Sequence, residues 1–330
     1  MKVFTPQSLG VGVALTGTGA YLPKRVVTNA ALGGPLSDDE IVKLSGIVTR
    51  HYADPSEATS DLATHAARAA MQRAGVRPEQ IDRLVLGTVS PDFQSPSTAC
   101  LVQKALGLPL VPAFDLTASC SGFLFALDVA ARAIATGDSH VLAIAADVRS
   151  RFLNREDRGT YALFGDGGGA AVVSRGPVGR GLVAIGLTAD GSGAKSVYVP
   201  AGGSREPASA ETVAKGRHTI HMAEGAQVYL TAVEGMLEVG ETLLASQKLT
   251  FADVDLIVPH QPNRRILDRL AKVGRFDPKK LFINVDRIGN VSGASVAIAL
   301  DEVLRTRAYR RLLLIAAGAG YTAGAALLEA

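Results

Sequence analysis

The chain has 330 residues, 47% hydrophobic and 20% charged, enough apolar material for one large core or two medium ones, which excludes a disordered or fibrous protein. Its net charge of +3, with no basic run interleaved with aromatics, argues against nucleic acid as the main partner. Only Cys100 and Cys120 are present, too few for a disulfide framework or a four-cysteine zinc site, and the N-terminus lacks the charged start, apolar stretch and cleavage site of an export signal, so a reducing cytoplasm is expected.

In chain order, continuous apolar runs at residues 11–15, 84–86, 141–145, 170–173, 256–258 and 312–316 predict strands buried on both faces. Between them, helical patterns occupy 60–74, with Ser60 as N-cap, alanine-rich 121–136, and 228–246, where apolar residues recur at three- and four-residue spacing. Glycines fall at the ends of the runs, where tight strand-to-helix connections need small residues. Strands covered by helices on both sides make a layered α/β architecture. The apolar stretch 312–328 contains Gly318, Gly320 and Gly324 and reads as two buried strands and a turn rather than a membrane helix. Residues 201–215, rich in Gly, Ser, Pro, Ala and Glu, read as a surface loop. The strand and helix order of residues 1–178 is loosely repeated in 179–330, through a strand at 256–258, a helix at 262–273, a loop at 284–293, a helix at 294–305 and a strand at 312–316. With no fixed period, this reads as an old duplication into two halves, not an array.

Three residues invite chemistry. Cys120 lies where a strand-like segment gives way to small residues and a long helix; a helix N-terminus favours a thiolate, although a lone cysteine is as readily a core residue. His260 ends a buried strand, where open α/β sheets gather ligand sites, and Asn290 lies in a small-residue loop before a helix; alone, these are an ordinary structural histidine and a turn residue. Gly165-Asp-Gly-Gly-Gly lacks the lysine and spacing of a phosphate loop.

The company these residues keep resembles the β-ketoacyl-acyl-carrier-protein synthase III family across nearly the whole chain. It lies in Gly17-Thr-Gly-Ala-Tyr-Leu-Pro, Thr59-Ser-Asp-Leu-Ala, Pro96-Ser-Thr-Ala-Cys, the Cys120 segment, Asp157-Arg-Gly-Thr, Phe164-Gly-Asp-Gly-Gly-Gly-Ala, Pro259-His-Gln-Pro-Asn, Gly289-Asn-Val-Ser-Gly-Ala-Ser and Gly318-Ala-Gly-Tyr-Thr. The resemblance implies the thiolase-like five-layered αβαβα fold and a homodimer. It makes Cys120 the acyl-accepting nucleophile and His260 and Asn290 the donors to the enolate left when malonyl-carrier protein loses carbon dioxide. It puts the acyl-transfer oxyanion on the backbone N–H groups of Cys120 and Ala319. No cofactor or metal is implied; coenzyme A and phosphopantetheine thioesters are substrates, and acyl carrier protein is the partner, with no nucleic acid and no membrane.

The sequence departs from the family where a Trp and an Arg clamp the coenzyme A adenine: here stand Glu40 and Leu44, while Arg158 keeps the matching basic residue. In the acyl pocket a bulky Phe is replaced by Ser95 and a Leu by Arg149. A guanidinium beside an apolar pocket is costly unless it meets a carboxylate. A glutaryl-like primer, giving an oxo-pimeloyl thioester for biotin synthesis as in biotin-branch relatives, is therefore expected; the alternatives are an acetyl-CoA-primed fatty-acid enzyme, a secondary-metabolite acyltransferase, or an Arg149 that turns outward or pairs with Asp147 or Glu156. Among the basic residues after His260, Arg264, Arg265 and Lys272 are the expected docking site for an acidic carrier, Arg265 matching the family's docking arginine. A papain-like protease lacks its signature here, a degradative thiolase would need a second catalytic cysteine near Gly318, and Cys100 is read as structural. A partner subunit without catalysis would have lost Cys120.

Overall fold

The predicted strands all form, each a little longer than its apolar run. In the computed structural model, which describes residues 1–330 apart from Glu224, the first half contributes β1 (Lys2–Phe4), β2 (Gly12–Tyr21), a hairpin of β3 (Arg25–Thr28) and β4 (Thr49–Tyr52), β5 (Arg83–Gly87), β6 (Ala113–Leu116), β7 (His140–Val148) and β8 (Asp166–Gly176). Its helices are α1 (Asn29–Leu32), α2 (Asp38–Ser45), α3 (Thr59–Ala74), α4 (Thr98–Leu106) and α5 (Gly122–Thr136). The second half adds β9 (Gly181–Thr188), a small pair of β10 (Val197–Tyr198) and β11 (His221–Met222), then β12 (Leu256–Pro259), β13 (Arg311–Gly318) and β14 (Thr322–Glu329). Its helices are α6 (Ala210–Ala214), α7 (Gly225–Ser246), α8 (Arg264–Gly274), α9 (Val285–Ile288) and α10 (Ala294–Thr306).

Strand order repeats between the halves. In the first it runs β6-β5-β7-β8-β2, with β5 parallel to both neighbours and the last two steps antiparallel. In the second, β12-β13-β14-β9 reproduces β5-β7-β8-β2 with the same directions, and Leu281, bridged in parallel to Ile257, stands where β6 stands. The ladders touch at Val13 and Gly181, so hydrogen bonding runs through as one ten-stranded sheet.

The helices make five layers of it. α5 and α10 lie between the two halves of the sheet and share one core with both, through Leu124, Leu127 and Ile134 on α5 and Val296, Ile298 and Leu300 on α10. Burying each such side chain is worth roughly 1.5–3 kcal/mol, which makes this central layer the largest single source of stability. α3 and α4 cover the outer face of the first half, and α7 and α8 that of the second. α5 is apolar enough to cross a membrane by length and composition, but here it is the core of the fold.

The glycine-rich start of β8 follows from this layering. A Cβ on Gly168 would come within 2.8 Å of the Leu62 carbonyl of α3, and one on Gly169 within 2.5 Å of Ala297 Cβ of α10. Helices pinch the strand from both faces, so the motif serves packing and binds no phosphate.

Two expectations need correction. Ser60 does not cap α3: that helix starts at Thr59, Asp61 accepts from the Ala58 N–H at 2.8 Å, and Ser60 instead donates to Asp92. The stretch 201–215 is mostly exposed but contains α6, capped by Ser209. Cys100, read as structural, is exposed on α4 with its Sγ 3.8 Å from the Ala113 carbonyl.

Candidate active site

Between β6 and α5 the chain makes one tight turn, Ser119–Ser121, with Ser119 at φ 48°, and delivers Cys120 half-buried at the N-terminal end of α5. The turn is tied to the far half of the molecule: Thr322 Oγ1 donates to the Ala118 carbonyl at 3.0 Å and Ser121 Oγ to the Thr322 carbonyl at 3.1 Å. Gly318 packs so tightly behind it that a Cβ there would lie 2.7 Å from Cys120 N. Ala319 and Tyr321 follow, Tyr321 at φ 44°. With Ser292 at φ 47°, three of the five non-glycine residues with positive φ cluster here, as strained backbone does at working sites.

His260 caps the end of β12, its N–H donating to Ile315 of β13 at 2.7 Å, and is almost fully buried. Ser295 Oγ, in the first turn of α10, is 2.6 Å from Nδ1. Burial holds the imidazolium down to about 3, so the ring is neutral. When Ser295 donates to Nδ1, the proton sits on Nε2, which has no hydrogen-bond partner among the described residues and is not sealed from accessible space. Of the next residues, buried Gln261 binds the carbonyls of Pro259 and Phe282, and Asn263 caps α8.

Asn290 is clipped to the strip before β8: its N–H donates to Leu163 O at 2.9 Å and its carbonyl accepts from Gly165 N at 3.0 Å. Its Oδ1 accepts from the Ser292 N–H at 2.9 Å, which fixes the amide so that Nδ2 is left as a free donor. Contacts draw the three segments together. Ser292 Oγ lies 4.0 Å from the Cys120 sulfur, Ser295 holds His260, and Gly318 ends β13, the strand paired with that of His260. The helix-terminus argument predicted a lowered thiol; instead, burial pushes Cys120 up to about 11, against the pull of the Arg149 charge and Ser292. A sulfur nucleophile beside two neutral donors can accept an acyl group and stabilise an oxyanion or enolate.

Arg149 follows β7 and is 7% exposed, so it does not turn outward. Nor does it pair with Asp147 or Glu156: its polar contact is Nη1 to the Val89 carbonyl at 3.4 Å, its Nε has no partner, and its guanidinium lies 5.6 Å from the rings of both Phe152 and Phe164. Asp147 is taken up otherwise, accepting from Thr88 Oγ1, Val89 N and Ser90 Oγ at 3.1, 2.9 and 3.0 Å and from Gly293 N at 3.3 Å. Ser95 is exposed in the loop before α4, and no hydrogen bond joins it to Arg149 among the described residues. Arg158 is also exposed, donating to Pro35 O at 3.0 Å and facing Glu40 at 3.4 Å, with Glu40 itself held by the Ser37 cap. Arg264, Arg265 and Lys272 are exposed on α8, Arg264 paired to Asp268. Sequence reasoning gave no role to Ser292, in the turn before α10, or to Ser295, in its first turn.

Two models for 3-oxoacyl-[acyl-carrier-protein] synthase III match, one over residues 114–191 and its C-terminal one over 244–330, and a thiolase N-terminal model matches 49–146. The chain is 44% identical over 325 residues to β-ketoacyl-[acyl-carrier-protein] synthase III of Caldanaerobacter subterraneus subsp. tengcongensis, covering 97% of this chain and 98% of that one. The chain belongs to the β-ketoacyl-acyl-carrier-protein synthase III family. It superposes on the family's structure from Aquifex aeolicus VF5 with a TM-score of 0.88 at 37% identity, over 97% of this chain and all of that one. The Thermus thermophilus structure gives 0.87 at 36%, over 96% and 99%. The fold is thus the thiolase-like one expected, and the protein is a condensing acyltransferase of the synthase III type.

Proposed function

We propose that this synthase III condenses a primer carrying a free distal carboxylate, glutaryl-like, with malonyl-acyl-carrier protein, giving an oxo-pimeloyl thioester of the kind biotin synthesis consumes. The observation that carries this is Arg149: a buried guanidinium with an unpaired Nε and no carboxylate partner among the described residues, close enough to Cys120 for its charge to lower the thiol. Its desolvation is already borne by the fold, so a carboxylate of matching reach gains a charge-assisted, bidentate partner.

The reaction runs in two halves. Cys120 attacks the primer thioester, its S–H proton passing to the departing thiolate, with the oxyanion met by the N–H groups of Cys120 and Ala319. Malonyl-carrier protein then loses carbon dioxide; His260 Nε2 and Asn290 Nδ2 donate to the thioester oxygen of the resulting enolate, whose carbon attacks the acyl-cysteine and expels the sulfur. Decarboxylation itself generates the carbanion, so neutral donors suffice and neither metal nor cofactor is called for.

Carrier docking is assigned to the exposed basic face of α8, where Arg265 and Lys272 stand beside Arg264 and its Asp268 partner. The primer comes on coenzyme A or on a carrier, and Glu40 against Arg158 leaves less room for a nucleotide there. The edge strand β6, with exposed Phe114, and the segments flanking α4, with exposed Phe93 and Leu110, offer a face on which a homodimer would form. A cytoplasmic location follows from carrier-bound substrates.

Intact-protein mass spectrometry after incubation with a panel of acyl-coenzyme A and acyl-carrier thioesters tests the reading, since the adduct on Cys120 identifies the primer. A glutaryl adduct formed in preference to acetyl or butyryl supports it; acetyl preference overturns it in favour of an ordinary fatty-acid-initiating enzyme. His260→Ala and Asn290→Ala should each lower condensation by about two to three orders of magnitude while Cys120 still acylates.

A further inference from the structure

A second buried guanidinium lies on the other side of the Asn290 loop. Arg50, in β4, has no exposed surface, no carboxylate partner among the described residues and an unpaired Nε. Its Nη2 is shared between Asn29 Oδ1 at 2.7 Å and the Ala162 carbonyl at 2.9 Å, and Nη1 reaches the Val27 carbonyl at 3.4 Å. Holding a charge there is expensive, and burial lowers its proton affinity accordingly. A hydrophobic side chain would fill the same space more cheaply.

What the guanidinium and its stem touch gives the reason. Ala162 directly precedes Leu163, Phe164 and Gly165, the strip that clips Asn290 by its N–H and carbonyl. Positions for a Cβ on Gly165 and on Gly289 fall 3.4 and 2.9 Å from Arg50 Cβ, so the stem backs the clip on both of its strands. The same hairpin grips the run into Asn290 from above: Val48 N donates to Asp286 O at 2.7 Å, and Thr49 Oγ1 to Arg287 O at 2.8 Å.

We infer that Arg50 is a positioning residue for Asn290, holding the clip so that the Asn290 amide meets the enolate oxygen, and that it acts on decarboxylation and not on acylation of Cys120. This rests on the enolate-donor reading of Asn290. It follows because Cys120 is set by ties that do not involve Arg50, to Gly318 and Thr322, whereas every backbone hydrogen bond of the Asn290 clip runs through residues next to the Arg50 contacts.

The experiment measures two rates separately in the full-length enzyme: acylation of Cys120 by an acyl thioester, read by intact mass, and carbon dioxide release from malonyl-carrier protein. Arg50→Lys keeps charge and stem but loses the planar fork, and Arg50→Met loses both charge and fork. Arg50→Lys is expected to slow decarboxylation about tenfold and Arg50→Met about a hundredfold, with acylation within about twofold of the parent, since misplacement by about 1 Å costs on that order. Asn29→Ala, which removes one anchor of Nη2 and spares the Ala162 contact, is the milder variant should the others not fold; a smaller loss confined to decarboxylation is expected. Equal loss of both rates, or no loss in either, overturns the inference. Asn290→Ala run alongside separates the failures: if it leaves decarboxylation intact, the donor reading falls and this inference with it, but if it stops decarboxylation while the Arg50 variants act evenly on both steps, only this inference falls.

Discussion

Replacing Arg149 with leucine puts the primer assignment to its hardest test. In the parent, a distal carboxylate docking on the guanidinium forms two charge-assisted hydrogen bonds, each worth about 1.5–3 kcal/mol. The desolvation of Arg149 has been met in folding, but that of the carboxylate has not, so the lower end of the combined range, about 3 kcal/mol, is the reasonable figure. At about 1.4 kcal/mol per tenfold, this is about a hundredfold in kcat/KM for glutaryl over butyryl thioester. In Arg149→Leu the preference should invert, because the carboxylate then faces an apolar wall beside Phe152 and Phe164 while a butyryl methyl gains contacts. Since an unpaired buried charge is removed, the melting temperature should hold or rise. Competition assays with the two thioesters, read as relative rates of Cys120 adduct formation, decide it. Unchanged selectivity would refute the reasoning, and so would a melting temperature that collapses, which would make Arg149 a structural tie.

Other outcomes follow from the charges around the site. Iodoacetamide should label Cys120 slowly at neutral pH, with a rate that climbs through the alkaline range, because burial holds the thiol at about 11; Arg149→Leu should slow labelling at any fixed pH, and a plateau near neutrality would contradict this. His260 is depressed from 6.5 to about 3, so the unfolded state takes up its proton first as pH falls. Its contribution to stability is complete above about pH 6.5 and is lost below it at about 1.4 kcal/mol per unit until the folded pKa is reached. Denaturant titrations between pH 7 and 4 should therefore show the parent losing stability with falling pH more steeply than His260→Gln, and equal slopes would contradict this. Arg265→Glu, on the exposed face of α8, should raise KM for malonyl-carrier protein and weaken its salt dependence while leaving acylation by a coenzyme A thioester alone.

The strands were legible because runs buried on both faces are continuous in sequence: 141–145 and 312–316 announce β7 and β13 without reference to anything else. β9 was missed although Leu182–Ile185 is a continuous apolar run, and the β3/β4 hairpin because its strands are only four residues each and mostly polar or exposed. The nucleophile turn was legible from its small residues. The state of the sulfur was not: helix position is local and visible, whereas desolvation depends on which distant segments close over the thiol, here the turn at Gly318 and the loop at Ser292. Tertiary contacts likewise decide that Arg149 lies unpaired while Asp147, two residues away, spends its oxygens on the Thr88–Ser90 turn and Gly293.

Arg50 and Arg149 flank the strip from Ala162 to Asp166, and neither makes a close ion pair among the described residues, although the buried carboxyls of Asp147 and Asp166 act on Arg149 from a distance. A fold selected for stability alone would replace such charges with leucine or methionine, since buried charges rarely repay their desolvation. Their difference in wiring separates their uses. Arg50 gives Nη1 and Nη2 to three fixed protein oxygens and keeps only Nε idle; Arg149 has an idle Nε as well but just one long contact to a carbonyl, so more of its fork is on offer. That contrast in wiring is what the proposed carboxylated primer would use, and the Arg149→Leu selectivity assay is where the proposal stands or falls.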